Sequence, residues 1–182
     1  ITAQGAFSFT PTEEQGPGSF TFKVKVADGE GGSAVENVTV TVNEVNVAPT
    51  LSAIGDKVVD ELTQLSFTAT ALDVDLPGNT LLFSLAAGAP SGASIDATSG
   101  TFTWVPAETQ DGNHQLTVIV SDGSLTASET FNVVVNEVNV APVLAGVPVT
   151  KQTIDEEVLY SFSASATDAD NQNQTLTFSL TD

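Results

Sequence analysis

The stretch Leu65-Ser66-Phe67-Thr68-Ala69-Thr70-Ala71 alternates apolar residues with small hydroxyl residues at every step. Successive side chains of a β-strand point to opposite faces, so this spacing places its four apolar side chains on one face. The same alternation returns at 102–104, at 116–120 and at 131–135. No segment carries an apolar stripe with helical spacing. The sequence therefore predicts an all-β fold.

The patterned segments occur twice. LSFTATA at 65–71 returns as YSFSASA at 160–166, which lies 95 residues later. VNEVNVAP at 42–49 returns unchanged at 135–142, which lies 93 residues later. A fixed spacing of this kind is typical of tandem domains. Roughly seven half-buried strands per repeat, separated by Gly and Pro turns, predict tandem two-sheet β-sandwiches of immunoglobulin-like size.

The phase of the repeats divides the chain into three segments. Residues 48–140 form one complete repeat, residues 1–47 match the second half of a repeat, and residues 141–182 match the first half. A half-sandwich leaves its inner face and its edge strands exposed to water. We expect neighbouring repeats, in the same chain or in identical chains, to complete both halves. On this interpretation, the sequence is a part of a longer chain or the unit of a filament.

The composition narrows the classes of partner. The chain of 182 residues is 41% hydrophobic and carries 23 acidic residues against four Lys, for a net charge of −19. Such a surface repels phosphate groups, which argues against nucleic acids and anionic membrane surfaces. There is no apolar run long enough to insert into a membrane. Cations are the expected partners.

Catalytic groups are sparse. His114 is the single histidine, and its counterpart in the first segment is Phe20, so a packing or surface role is expected. Trp104 could stack on a sugar, but its counterpart is Phe9, which favours core packing. A Ser-His-Asp set cannot be assembled from these residues. We therefore expect a protein that is not an enzyme.

Acidic residues recur at the same phase of each repeat, next to strand ends. Asp-Glu precedes the Ala-rich strand, Asp-x-Asp follows it, a further acid follows the strand that ends in Pro, Asp-Gly closes the next strand, and Glu lies in the linker. These positions are Asp60-Glu61 and Asp155-Glu156; Asp73, Asp75, Asp168 and Asp170; Glu13, Glu108 and Asp111; Asp28 and Asp122; Glu44 and Glu137.

Two interpretations of these acids remain. Consecutive strand ends alternate between the poles of a sandwich, so the acids should gather at the poles, where Ca²⁺ takes six to eight carboxylate, carbonyl and amide oxygens. Alternatively, surface turns favour Asp, and acidic residues keep a secreted protein soluble. Solubility explains the net charge but not the recurring phase, so we favour calcium.

The sequence resembles the cadherin-like family, more specifically the bacterial cadherin-like and dystroglycan-type modules of large surface proteins. The resemblance rests on Ala-Thr-Asp-Ala-Asp at 166–170, on the Val-x-Val-x-Asp-Gly type strands at 24–29 and 118–123, and on Glu-Val-Asn-Val-Ala-Pro at both linkers. It extends over essentially the whole chain. It implies β-sandwich domains joined by linkers at which calcium binds.

The resemblance also implies which residues hold the metal. At the first junction these are Glu13, Glu44, Asn46, Asp73, Asp75 and Asp122. At the second junction these are Glu61, Glu108, Asp111, Glu137, Asn139, Asp168 and Asp170. Val47 and Val140 stand where the family has further linker ligands, so we expect one or two ions per junction.

The predicted function is structural: a module of a long extracellular stalk, adhesin or filament that calcium stiffens. The main alternative is a carbohydrate-binding accessory module of a secreted polysaccharide-active protein, with a cell-surface or glycan ligand. That alternative requires exposed aromatic rings on one face. Here the alternation places almost every aromatic side chain on the face of a strand that points into the core. Homotypic adhesion is a third option. The extracellular location follows from the resemblance alone.

Overall fold

A computed structural model of the chain describes residues 1–170 and 175–181. Within that range the only helix is a single 3-10 turn at Glu13–Gln15, and the rest of the regular structure is β. The strands are β1 (Gly18–Ala27), β2 (Ser33–Val42), β3 (Thr50–Leu51), β4 (Lys57–Asp60), β5 (Leu65–Thr68), β6 (Ala71–Leu72), β7 (Leu82–Leu85), β8 (Ser94–Ile95), β9 (Thr101–Trp104), β10 (Gly112–Ser121), β11 (Thr126–Asn136), β12 (Val143–Ala145) and β13 (Ser165–Thr167). The predicted all-β fold is confirmed.

The residues of the central repeat form two layers. One layer is a four-stranded sheet in the order β4–β11–β10–β7, in which β4 runs parallel to β11 and the other pairs are antiparallel. The other layer contains β5–β9–β8 and the pair β3–β6. Since β5 and β6 belong to one extended segment, the second layer continues across both groups. Ala69 N–H, between them, donates to the Gly100 carbonyl.

The strand count agrees with the expected sandwich. β3 pairs with β6 in one layer, whereas β4 pairs with β11 in the other, so the first strand of the repeat passes from one sheet to the other. If β3–β4 and β5–β6 are each taken as one strand, the repeat has seven. A two-layer sandwich with this alternating pattern follows from the apolar/polar period of two.

The core lies between the two layers. It is built from alternate residues of the long strands, since the burial of β11 switches with each residue from Thr130 to Asn136. Phe67 stacks on Phe102, and the edge of Phe131 meets both rings. Trp104 is buried and donates from Nε1 to the Ser91 carbonyl, so the expected core-packing role of Trp104 is confirmed.

The turn after β8 requires glycine at one position. Gly100 has φ +69°, a conformation that costs residues with a Cβ, and a Cβ there would lie 2.5 Å from the Ala69 carbonyl oxygen. His114, which is half-buried, donates from Nε2 to the Gln110 carbonyl and meets Trp104 edge-on. Both contacts support the packing role expected for His114.

The flanking segments contain less structure. In residues 1–47, β1 and β2 form an antiparallel hairpin that matches the β10–β11 hairpin of the central repeat. In the segment after residue 140, β12 pairs with β13 as β3 pairs with β6. Residues 160–163, which match β5, form no strand, because β5 is held by β9 and no β9 counterpart lies beside them. Residues 171–174 and 182 of the predicted third segment lie outside the described residues.

Candidate metal centres at two junctions

The first junction joins residues 1–47 to the central repeat. Glu13, Glu44 and Asp75 each offer a carboxylate oxygen, and these oxygens lie within 4.8 Å of one another. Glu13 stands in the 3-10 turn, Glu44 follows β2, and Asp75 follows β6. Asp75 is 2% exposed, and both of its oxygens accept from Val47 N–H at 3.0 Å. Glu13 Oε1 accepts from Leu76 N–H at 3.1 Å, so the two segments hold each other's acids.

A second cluster adjoins the first. Asp73, Asp75 and Asp122 also bring carboxylate oxygens within 4.8 Å, so Asp75 belongs to both clusters. Asp73 Oδ1 accepts from Asp75 N–H, which fixes the Asp-x-Asp turn. Asp122 Oδ1 accepts from the backbone N–H groups of Ser124 and Leu125, and Oδ2 accepts from Asn46 Nδ2 at 2.9 Å. The junction thus contains two adjacent acidic clusters that share Asp75.

One residue at this junction escaped prediction. Asn79 Nδ2 donates to Asp75 Oδ2 at 3.3 Å and lies 3.5 Å from Asn46 Oδ1. In the sequence, Leu76-Pro77-Gly78-Asn79 indicates only a turn. An amide four residues after an Asp-x-Asp pair, on a turn that bends the chain back, was the available signal.

The second junction joins the central repeat to the segment after residue 140. Glu61, Glu108 and Glu137 bring carboxylate oxygens within 4.8 Å of one another. They come from the end of β4, from the turn after β9 and from the end of β11. Glu61 is 1% exposed, and its Oε1 accepts from Val138 N–H at 2.9 Å. The acids of three distant segments therefore meet at one pole, as predicted from the alternation of strand ends.

The segment after the linker contributes acids to the same place. Asp170 is buried and its Oδ1 accepts from Val140 N–H at 2.9 Å, as Asp75 accepts from Val47 N–H. The two linker valines, which replace expected ligands, thus bind the downstream aspartate through their backbone. Asp168 and Asp170 interact electrostatically with Glu108, and Asp111 with Glu137.

Asn139 is the predicted ligand least engaged in the structure. Its side chain is exposed and makes no hydrogen bond to any residue in 1–170 or 175–181. Asn46, its counterpart at the first junction, is bonded to Asp122. Metal binding by all thirteen predicted residues stays a prediction.

At the junctions, the surroundings of several glutamates disfavour the ionised form of the carboxyl group. Burial raises the pKa of Glu108, and the carboxylates of Glu61 and Asp170 raise it further. Burial and Glu61 likewise raise the pKa of Glu137, and burial with Glu13 raises the pKa of Glu44. Asp122 differs, because Leu125 N–H and the Asn46 amide stabilise its charge and lower its pKa.

Buried polar atoms without a hydrogen-bond partner indicate whether a cation fits at the junctions. In the described part of the chain, the buried side-chain oxygens or nitrogens without a hydrogen-bond partner are Glu44 Oε1, Glu61 Oε2, Asp73 Oδ2, Glu108 Oε1, Glu137 Oε1 and Oε2, and Asp168 Oδ2. Every one is a carboxylate oxygen of a predicted ligand. A buried carboxylate oxygen without a partner is costly, and hard oxygens of this type are the ligands that Ca²⁺ prefers. The residues present therefore fit a calcium ion.

The comparisons with known proteins agree with the architecture. Residues 48–136 match the family described as Putative Ig domain. A crystal structure of mouse cadherin-23 (EC22-24) is similar with a TM-score of 0.51 and 23% identity, covering 70% of this chain and 44% of that one. The match to this family lies within the central repeat, and the fold is similar to that of cadherin domains.

The chain is also similar to a bacterial protein. It is 29% identical over 171 residues to chitinase A of Pseudoalteromonas piscicida, which covers 92% of this chain. The chain spans 20% of the length of that relative.

Among the described residues, no helix has the length and apolar character needed to cross a membrane.

Proposed function

We propose that the chain is a structural module of an extracellular stalk or fibre in which Ca²⁺ at the two junctions sets the angle between successive cadherin-like domains. The observation that carries this proposal is that all the unpaired buried oxygens noted above belong to acids at the junctions. Acids from both sides of each linker converge there, so one ion would contact two domains at once.

The charges at the second junction support a response of the joint to metal. Glu61, Glu108 and Glu137 repel one another, and Asp168 and Asp170 add charge from the other side of the linker. Without a cation this repulsion favours separation of the domains. When bound, Ca²⁺ would supply the positive charge that offsets the repulsion. Val138 and Val140 N–H groups would keep Glu61 and Asp170 oriented toward the site.

The first junction would hold metal with a different ligand set. Asp75 belongs to both acidic clusters, while the neutral side-chain amides of Asn46 and Asn79 donate to Asp122 and Asp75. Fewer charges per ion lower the affinity, and flexible sites of extracellular modules bind calcium weakly. We therefore propose modest affinity and one or two ions at this joint.

Small-angle scattering of the full chain tests this function. With calcium we expect a narrow distribution of interatomic distances, and with a chelator a broader one. Glu137→Gln should reduce the effect of calcium. Glu129→Gln is the matched control, because Glu129 lies on the same strand but outside the junction. Curves that do not change with chelator, or a Glu129→Gln effect equal to that of Glu137→Gln, would overturn the proposal.

A second function is favoured by the relative. Since the chitinase A of Pseudoalteromonas piscicida is similar over most of this chain, the chain is alternatively a non-catalytic accessory module of a secreted polysaccharide-active enzyme. Retention of the full chain on chitin, undiminished by chelator, would favour this alternative. The absence of retention would favour the stalk.

A further inference from the structure

Gln110 lies in the turn after β9 that carries Glu108, one of the three clustered glutamates at the second junction. Its side chain folds back along the turn, and Oε1 accepts from Ala107 N–H at 2.8 Å. The backbone N–H of Gln110 donates to the Ala107 carbonyl, also at 2.8 Å. Two reciprocal bonds between Ala107 and Gln110 therefore close the turn around Glu108.

The side-chain nitrogen of Gln110 connects the turn to the core. Nε2 donates to the Ser91 carbonyl at 3.2 Å, and the same carbonyl accepts from Nε1 of the buried Trp104 at 3.3 Å. His114 donates from Nε2 to the Gln110 carbonyl at 2.7 Å. The backbone amide and the side-chain amide of Gln110 therefore both have partners, and these partners fix the turn to the central repeat.

The first segment contains the same turn. Gln15 Oε1 accepts from Thr12 N–H at 2.9 Å, and Gln15 N–H donates to the Thr12 carbonyl at 3.0 Å. Glu13, a predicted ligand of the first junction, lies inside this turn as Glu108 lies inside the other. Both turns therefore have a glutamine two residues after the predicted ligand, bonded to the residue that precedes the ligand.

The bond from His114 is not common to the two turns. The counterpart of His114 is Phe20, whose side chain has no hydrogen-bond donor. Thr12 and Gln15 are nevertheless bonded to each other through both their backbone and the glutamine side chain. The side-chain bond of the glutamine is therefore the constant part of the turn, and the histidine adds to it in the central repeat.

Glu108 depends on this turn for its position. Its Oε1 is buried without a hydrogen-bond partner in the described chain, whereas Glu61 Oε1 accepts from a backbone N–H of the linker. The start of the turn is fixed, because the Pro106 carbonyl accepts from Leu62 N–H at 2.8 Å. The bonds of Gln110 fix its end, so they help to decide where the carboxylate of Glu108 lies.

We infer that Gln110 and Gln15 are positioning residues for the metal ligands Glu108 and Glu13, an inference that rests on the proposed function. Each glutamine holds its turn in the form that places the glutamate beside the other acids of the junction, with or without a cation. A ligand that is already placed loses less conformational freedom when metal binds. Removal of a group that orients a metal ligand costs roughly 10–100-fold in metal affinity.

Terbium luminescence of the full chain, excited through the single tryptophan, tests the inference at the second junction. Trp104 lies four residues before Glu108, so energy transfer from its ring reports terbium bound there, and displacement by calcium gives the calcium affinity. Gln110→Ala should weaken calcium binding at this junction by about tenfold. Gln115→Ala is the matched control, since Gln115 is exposed on β10 outside the turn, and it should leave the affinity unchanged.

Two further variants sharpen the comparison. Gln15→Ala should leave the luminescence excited through Trp104 unchanged and should weaken the remaining calcium binding seen by titration calorimetry. Gln110→Asn is one methylene shorter, so it breaks the bond to Ala107 with a smaller loss of volume. If Gln110→Ala does not fold, Gln110→Asn gives the same comparison against Gln115→Asn.

Hydrogen exchange of the Ala107 amide in metal-free protein tests the turn without any ion. This amide should exchange slowly in the unmodified chain and faster in Gln110→Ala, because Gln110 Oε1 accepts its hydrogen bond. Gln115→Ala should leave its exchange unchanged. Equal exchange in the two variants overturns the inference.

The outcomes separate the inference from the proposed function. Equal calcium affinities of Gln110→Ala and Gln115→Ala, or of the two asparagine variants, overturn the inference and leave the proposed function intact. Lower stability of Gln110→Ala toward urea with unchanged calcium affinity also overturns it, since the glutamine then serves the fold alone. Absence of calcium binding by the unmodified chain overturns the proposed function and the inference together.

Discussion

The second half of the central repeat and the first segment of the chain have matching sequences but different surroundings. In the central repeat, Phe102 and Trp104 are enclosed by β5 and by the opposite sheet. In the first segment, Phe7 and Phe9 lie on a hairpin with nothing above it in the described chain. The hydrophobic pattern therefore selects which side of a strand can be buried, whereas burial itself requires the other half of the sandwich.

The largest contrast should be in stability. Trp104→Ala removes a fully buried ring and should lower the free energy of unfolding by about 3–5 kcal/mol. Phe9→Ala, at the counterpart position, should cost less than about 1 kcal/mol in dilute solution, since partly exposed residues contribute little. Urea unfolding followed by tryptophan fluorescence is suitable for the Phe9 variant, and circular dichroism for both. Equal losses would show that the first segment has a closed core.

The next contrast concerns calcium affinity. Glu61→Gln should weaken calcium binding at the second junction by at least about tenfold, the size of loss seen when groups around a metal are altered. Glu156→Gln, at the counterpart position, should leave binding unchanged in dilute solution because Glu156 is exposed and outside all three acidic clusters. Titration calorimetry measures both variants. A large effect of Glu156→Gln in the monomer would place that residue in a site of its own chain.

The pH dependence of thermal stability should distinguish the acids at the junctions from acids elsewhere on the surface. Burial and neighbouring carboxylates raise the pKa values of Glu44, Glu108 and Glu137, so the folded protein binds protons more tightly than the unfolded chain. The stabilising effect of these protons is present below the ordinary glutamate pKa and is lost as the pH rises through the raised values. Metal-free protein should therefore melt at a higher temperature in mild acid than at neutral pH.

Calcium should reverse this trend, because protons compete with the ion for the same oxygens. Melting curves at several pH values, with chelator and with calcium, check the sign. A metal-free protein that becomes steadily more stable as the pH rises through this window would contradict it. Glu129→Gln serves as the control outside the junctions.

The outer faces of the two hairpins should differ least in their contribution to stability. Thr117 and Thr130 share a hydrogen bond of 2.8 Å across β10–β11, and Thr21 and Thr39 share one of 2.9 Å across β1–β2. Both pairs face outward, so Thr→Val in either hairpin should change the free energy of unfolding by roughly 0.2–1 kcal/mol. Hydrogen exchange of the flanking amides measures the local effect. Unequal effects would indicate that the two hairpins differ on their outer faces as well.

Much of the site could be predicted from the recurrence of acids at strand ends. Glu61, Glu108 and Glu137 are separated by tens of residues, yet alternation of strand ends placed them at one pole. Asn79 was missed because turn residues are common for local reasons, and its contact with Asp75 and Asn46 depends on how two segments meet. The backbone bonds from Val47 and Val140 were also missed, since a sequence pattern reports side chains and not N–H directions.

The sequence by itself determined which stretches alternate as β-strands do, the repeat of 93–95 residues and the phase of the acids, because these depend on side-chain alternation and turn chemistry along short stretches. Only the tertiary structure decided which apolar faces are covered and which carboxylate oxygens are buried without a partner. The physical reason is that removal from water depends on groups far apart in the chain. Phe7 and Phe102 have the same phase, but only Phe102 has β5 beside it.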